Sequence, residues 1–175
     1  MADHFYGAIE IAKGRYPRHI WEKMNQIAGR EFEESLACLQ MEDANAVNGE
    51  FSALEEYLVE QGIPFDRTSE GFNEIHPEKR IFRPALIDKV IIGDNDGDAY
   101  IKTDDLRKVL TEDKPPEDIL KDIQALVDEK DPLYPPIREY TIQWTEGDSG
   151  ELFLPEEQAE WNENFRVVAV LGDQK

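Results

Sequence analysis

Along the first half of the chain the spacing of apolar residues switches repeatedly between two and about 3.6, and this alternation most limits what the chain can fold into. The stretch FYGAIEIA (5–12) alternates, with β-branched and aromatic side chains, as a half-buried strand does. Pro17 then opens a helix expected to run to about Phe32, with Ile20, Met24 and Ile27 as its apolar stripe and Trp21 beside it. SLACLQM (35–41) returns to a strand pattern. Residues 49–61 place Phe51, Leu54, Tyr57 and Leu58 at helical spacing, with Gly62 as the stop. IPFDR (63–67) and EKRIFRP (78–84) read as two further strands. The order β-α-β-α-β-β specifies an α+β fold, a small sandwich with helices on one face of a sheet.

From Ala85 the pattern changes, which suggests a subdomain over 1–84 and an acidic segment over 85–175, continuous with the first in one fold. DKVIIG (88–93) and AYIK (99–102) flank DNDGD as the arms of a hairpin. Thr103 is placed to cap a helix whose first turn holds Asp104 and Asp105. After Pro115 and Pro116 a second helix carries Ile119, Leu120, Ile123, Leu126 and Val127 on one stripe. REYTIQW (138–144) and ELFLP (151–155) read as a hairpin around EGDSG, and FRVVAVL (165–171) as a last strand inside the fold.

No apolar run approaches the length of a membrane span, and the N-terminus shows no basic region followed by an apolar stretch, so a cytosolic protein is expected. The single cysteine, Cys38, excludes an internal disulfide and reads as a small buried hydrophobe. The charge is far from balanced: 39 acidic residues stand against 19 basic ones, a formal net of −20. Residues 1–86 contribute −7 of this and residues 87–175 contribute −13. Direct binding to nucleic acid or to an anionic membrane would need basic surface to displace counterions, so both are disfavoured. The acidity is compatible with a basic partner, bound cations, a high-salt habitat or a merely solvated surface.

The motif with the most defined spacing is DNDGDAYIKTDDL (94–106). Asp94, Asp96, Asp98, Ile101 and Asp105 fall at positions 1, 3, 5, 8 and 12, as in a calcium-binding EF-hand loop. Calcium ligation by Asp94, Asp96, Asp98 and Asp105 is therefore an alternative to weigh. Against it, position 6 is Ala99 where the turn needs glycine, and position 12 is the shorter Asp105 where a bidentate glutamate belongs. The incoming Val90, Ile91, Ile92 and Gly93 read as a strand and not as the required helix, and no second loop is present. A hairpin tip built on Asn95 and Gly97, followed by a helix, accounts for the same residues.

Signs of catalysis are lacking. His4, His19 and His76 have no metal-ligand spacing to one another or to Cys38, and there is no nucleophile elbow, P-loop, dinucleotide fingerprint or HExxH. Acidic pairs are too numerous for any one to suggest a glycosidase site. The chain thus reads as a non-enzymatic protein without a cofactor.

The second half spaces carboxylates usefully. Asp94, Asp96 and Asp98 would project from a turn, Asp104, Asp105, Glu112 and Asp113 flank one helix, and Asp118 and Asp122 share a face of the next. Like charges one helical turn apart lie about 5–6 Å from each other, comparable with successive phosphates. In size, acidity and absence of catalytic motifs the chain resembles the small acidic inhibitors of phages and mobile elements, among them DNA-mimic anti-CRISPR and antirestriction proteins. The likeness is one of composition and carries no residue roles. It implies a protein that occludes the basic nucleic-acid-binding surface of a partner, most specifically a bacterial defence nuclease. Immunity proteins that neutralise nuclease toxins share the profile and form the alternative, as does a calcium-binding module through 94–105. The expected contacts are Asp94, Asp96, Asp98, Asp104, Asp105, Glu112, Asp113, Asp118 and Asp122.

Overall fold

The computed structural model describes residues 3–94, 98–144 and 167–171. In chain order the elements are β1 (His4–Ile11), β2 (Lys13–Gly14), α1 (Arg18–Ala28), β3 (Glu33–Glu34), β4 (Leu39–Val47), α2 (Ser52–Gln61) and β5 (Phe65–Ser69). They continue with β6 (Glu78–Arg83), β7 (Ile87–Ile92), α3 (Thr103–Thr111), α4 (Pro116–Lys130), β8 (Tyr140–Trp144) and β9 (Val167–Leu171). The protein is α+β. A six-stranded antiparallel sheet has the order β3-β4-β1-β5-β6-β7, and a smaller sheet has the order β2-β8-β9.

The alternation read in β1 decides its two faces. Phe5, Ile9 and Ile11 are buried, and the register sets Ile9 beside Met41 and Ile11 beside Leu39 and Phe65 on the same face. Ile20, Trp21 and Met24 of α1 and Leu54 and Leu58 of α2 pack with these residues into one core. Trp21 lies between Tyr16 and Phe32, with ring centroids 5.8 and 5.9 Å away. The later chain joins this core through Ile137, Tyr140 and Ile142, and β7 completes the same sheet.

Towards β6 the sheet buries charge on both faces. On the helix face Arg67 meets Glu55 of α2 at 3.4 Å and Glu78 at 2.6 Å, while Arg80 meets Glu55 and Asp88 at 3.0 Å each. Glu55 also accepts the Phe51 backbone N–H at 2.9 Å, closing the start of α2. On the opposite face Arg83 pairs with Asp66 at 2.9 Å and donates to the carbonyls of Phe65, Phe82 and Pro135. Its guanidinium also lies against the Tyr134 and Tyr140 rings, at 5.4 and 5.3 Å. Carboxylates paired to both guanidinium groups, with the carbonyls that Arg83 also reaches, are what permit fully buried arginines.

Several expected boundaries move. The first helix stops at Ala28 because Gly29 turns left-handed at φ 71°, and Phe32 reaches Trp21 from outside the helix. Residues 35–38 form a turn and not the start of a strand. The Ser35 hydroxyl accepts the N–H groups of Ala37 and Cys38, and Leu36 is left exposed. The strand begins at Leu39 and continues through a polar run to Val47. The two-stranded arm expected after β7 is a single bridge, Gly93 to Ala99; Tyr100 then leaves the ladder to meet the His76 ring at 6.0 Å. Thr103 is the first helical residue and not the cap, since the Lys102 carbonyl already accepts from Leu106 at 3.2 Å. β8 pairs with β2 on one side and β9 on the other; ELFLP, expected as its hairpin partner, lies outside the described residues, as does EGDSG. β2 and β8, neighbours in the smaller sheet, approach so closely that a Cβ at Gly14 would stand 2.3 Å from the Ile142 carbonyl oxygen, at φ 143°. Among the described residues no helix is long and apolar enough to cross a membrane.

Candidate partner-binding face

α3 and α4 form as their apolar spacing predicts, with Pro116 in the first turn of α4 and carboxylates near both N-termini. Yet neither helix contains a buried residue. Leu106, Val109, Ile119, Ile123 and Leu126 are half-covered, while Leu110 and Leu120 stand 52% and 66% exposed. Leu133, just past α4, is almost wholly exposed. An amphipathic helix pair in a stable protein normally buries its stripe, so this one leaves apolar surface for contact.

The carboxylates around that surface are largely braced by cations of the same hairpin. Asp104 pairs with Arg107 and Asp105 with Lys108, both at 3.0 Å, and Asp118 pairs with Lys121 at 2.9 Å. Lys114 ties Glu112 to Asp122, at 2.5 and 2.8 Å, across the α3–α4 connection. Its hydrogen bonds to Asp122 and then Glu112 hold the ammonium well above its ordinary range. The hydrogen bond from Lys108 likewise holds the Asp105 carboxyl below its usual value. Exposed pairs of this kind contribute little stability, but they fix where the charges sit. Asp113 has no ion pair among the described residues. Asp94 and Asp98 close the turn after β7: Asp94 donates its N–H to the Asp98 carbonyl at 2.9 Å, and Asp98 donates to the Asp94 carboxylate at 3.1 Å. Asp96 lies outside the described residues.

The segment from Asp94 to Asp131 holds thirteen acidic and six basic residues, so it stays strongly negative after this bracing. Apart from Asp96, the residues named from sequence fall on one helical hairpin and the turn leading into it. The turn is entered from a strand, β7, where an EF-hand requires a helix. Among the described residues no group of three or more His, Cys, Asp or Glu is placed to hold a metal.

No family model, curated protein or solved structure significantly matches this chain. Its own geometry is therefore what bears on function.

Sequence reasoning passed over a second feature. A cleft of ≈ 330 Å³ separates β7 from the helical hairpin, lined by Lys89, Val90, Ile91, Ile92, Tyr100 and Lys102, with His76, Asp105, Glu129 and Lys130 at its sides. Three ammonium groups meet there in a chain that is otherwise acidic. Lys89 donates to the Glu129 backbone carbonyl, and Lys130 pairs with the Glu129 carboxylate at 2.9 Å. That pairing lowers the carboxyl and raises the ammonium. These lysines are far apart in sequence and share no spacing pattern, so only folding brings them together.

Proposed function

We propose that this protein is a non-enzymatic acidic binder that occludes the basic nucleic-acid-binding surface of a partner protein. Its specific form is a DNA-mimic inhibitor of a bacterial defence nuclease. The observation that carries the reading is the α3–α4 hairpin, an amphipathic pair with no buried residue, rimmed by carboxylates that their neighbours hold in place. Charge fixed on a rigid element steers association with a basic surface and excludes wrong partners. The exposed Leu110 and Leu120 add anchors that a phosphate backbone lacks. That composite also suits a toxin-specific immunity protein, the second reading. A calcium-binding role is the third, and its ligand set includes Asp96.

The test compares the full chain with a variant carrying Asp98→Asn, Asp104→Asn, Asp105→Asn, Asp113→Asn and Asp118→Asn. Each is titrated against purified basic nucleases, with duplex DNA as competitor over a salt series. Binding of the native chain is expected to exclude DNA and weaken with salt, and the variant should bind more than about tenfold more weakly. Binding indifferent to salt and to the five substitutions would refute the electrostatic reading. Leu120→Ala separates the contributions: a large loss there with a small loss in the charge variant favours the immunity-type interface.

A further inference from the structure

The cleft beside β7 has the form of an unfilled strand position. Among the described residues β7 is the last strand of its sheet, paired with β6 along one edge. On its other edge the returning chain makes one bridge, Ala99 to Gly93, and then diverges through Tyr100 and Lys102 into α3. Lys89, Val90, Ile91 and Ile92 are successive residues, so their side chains alternate between the two faces of the sheet, yet all four line the same cleft. A groove along the strand's edge, which meets the backbone of every residue, accommodates all four. Its far wall is Tyr100, Lys102, Asp105, Glu129 and Lys130.

We infer that this groove takes an extended peptide segment with alternating acidic and apolar side chains, which adds to β7 as a seventh strand. The edge offers main-chain donors and acceptors in ladder spacing, the basis of recognition by strand addition. The face bearing Lys89 sets the acidic positions. Lys89 donates to a backbone carbonyl and Lys102 has no ion pair among the described residues; with Lys130 they outnumber the Asp105 and Glu129 carboxylates that share the groove, so the balance there favours an incoming carboxylate. The other face presents Val90 and Ile92, 45% and 50% exposed, as cross-strand neighbours for apolar side chains.

The experiment uses the full chain and a fluorescein-labelled probe, acetyl-Glu-Val-Glu-Val-Glu-Val-amide. Its comparators are a block peptide of the same composition (three Glu, then three Val) and the Lys-Val alternating peptide. Fluorescence anisotropy reads affinity, and amide hydrogen exchange reads protection at residues 87–92. The alternating acidic peptide should bind, slow exchange in β7, and lose at least about fivefold in affinity with Lys102→Glu. The block and Lys-Val peptides should bind at least about fivefold more weakly. Equal binding of the block peptide, competition by inorganic phosphate alone, or absence of β7 protection would overturn the inference. So would sedimentation showing a peptide-free dimer whose β7 amides are already protected. A variant carrying Asp98→Asn, Asp104→Asn, Asp113→Asn and Asp118→Asn changes the acidic face and none of the residues that line the groove. Retained peptide binding there separates failure of the acidic-face reading from failure of this one.

Discussion

Replacing Glu55 by alanine should destabilise the protein strongly. The Glu55 side chain is 3% exposed, 3.4 Å from Arg67 (2% exposed) and 3.0 Å from Arg80, and it accepts the Phe51 N–H at 2.9 Å. Truncation strands the Arg67 guanidinium in the interior with Glu78 as its remaining carboxylate, at 2.6 Å. Removing one partner of a buried pair costs about 3–5 kcal/mol, and the surviving Glu78 contact argues for the lower end, roughly 3. Loss of the acceptor at the start of α2 adds about 1 kcal/mol. The total, about 4 kcal/mol, corresponds to a fall in Tm of roughly 8–16 °C for a chain of this size. Urea unfolding followed by tryptophan fluorescence and circular dichroism measures it. Glu55→Gln, which keeps an oxygen for the Phe51 N–H, should recover about 1 kcal/mol. Asp88→Asn, at the exposed rim of the same cluster, should cost under about 1 kcal/mol. A Glu55→Ala penalty below about 1 kcal/mol, with cooperative unfolding, would refute the view that this cluster is held against desolvation.

Burial pushes the Tyr16 phenol well above its ordinary value of 10.0, and its hydroxyl donates to the Ala12 carbonyl. Its stabilising effect is therefore complete below pH 10 and is lost as pH rises through the higher folded-state value. Stability should fall steeply on the alkaline side, and Tyr16→Phe should flatten that limb in pH-dependent urea titrations while costing about 1–2 kcal/mol at neutral pH. Burial raises the Cys38 thiol, so iodoacetamide should label the folded protein slowly at pH 8 and the urea-unfolded chain quickly; equal rates would contradict the burial. Gly14→Ala should drive a methyl into the Ile142 carbonyl and separate β2 from β8, lowering Tm by several degrees with loss of amide protection at Thr141 and Ile142.

The legible parts of the fold are those where one local pattern suffices. Alternation in β1 and the stripes of α1, α2 and α4 follow from side-chain periods, and these patterns also place α3 and the final apolar strand. SLACLQM misleads because the Ser35 hydroxyl makes local hydrogen bonds that compete with a strand, a preference hidden beneath its apolar composition. The polar continuation of β4 to Val47 is a strand only because β1 supplies its ladder. The expected hairpin after β7 fails for the converse reason: both arms suit strands, but the chain leaves after one bridge to enter α3.

By itself the sequence determined the α+β class, the amphipathic helices and the concentration of negative charge in the second half, because periodicity and composition are local properties. Only the tertiary structure decided what those features face. It leaves the α3–α4 stripe half-uncovered and braces its carboxylates. It buries Glu55, Asp66, Arg67 and Arg83 around the sheet, and it gathers Lys89, Lys102 and Lys130 around one cleft. Which charges are desolvated, paired or aimed at a partner depends on neighbours distant in the chain, and sheet register together with the packing of helices brings those neighbours together.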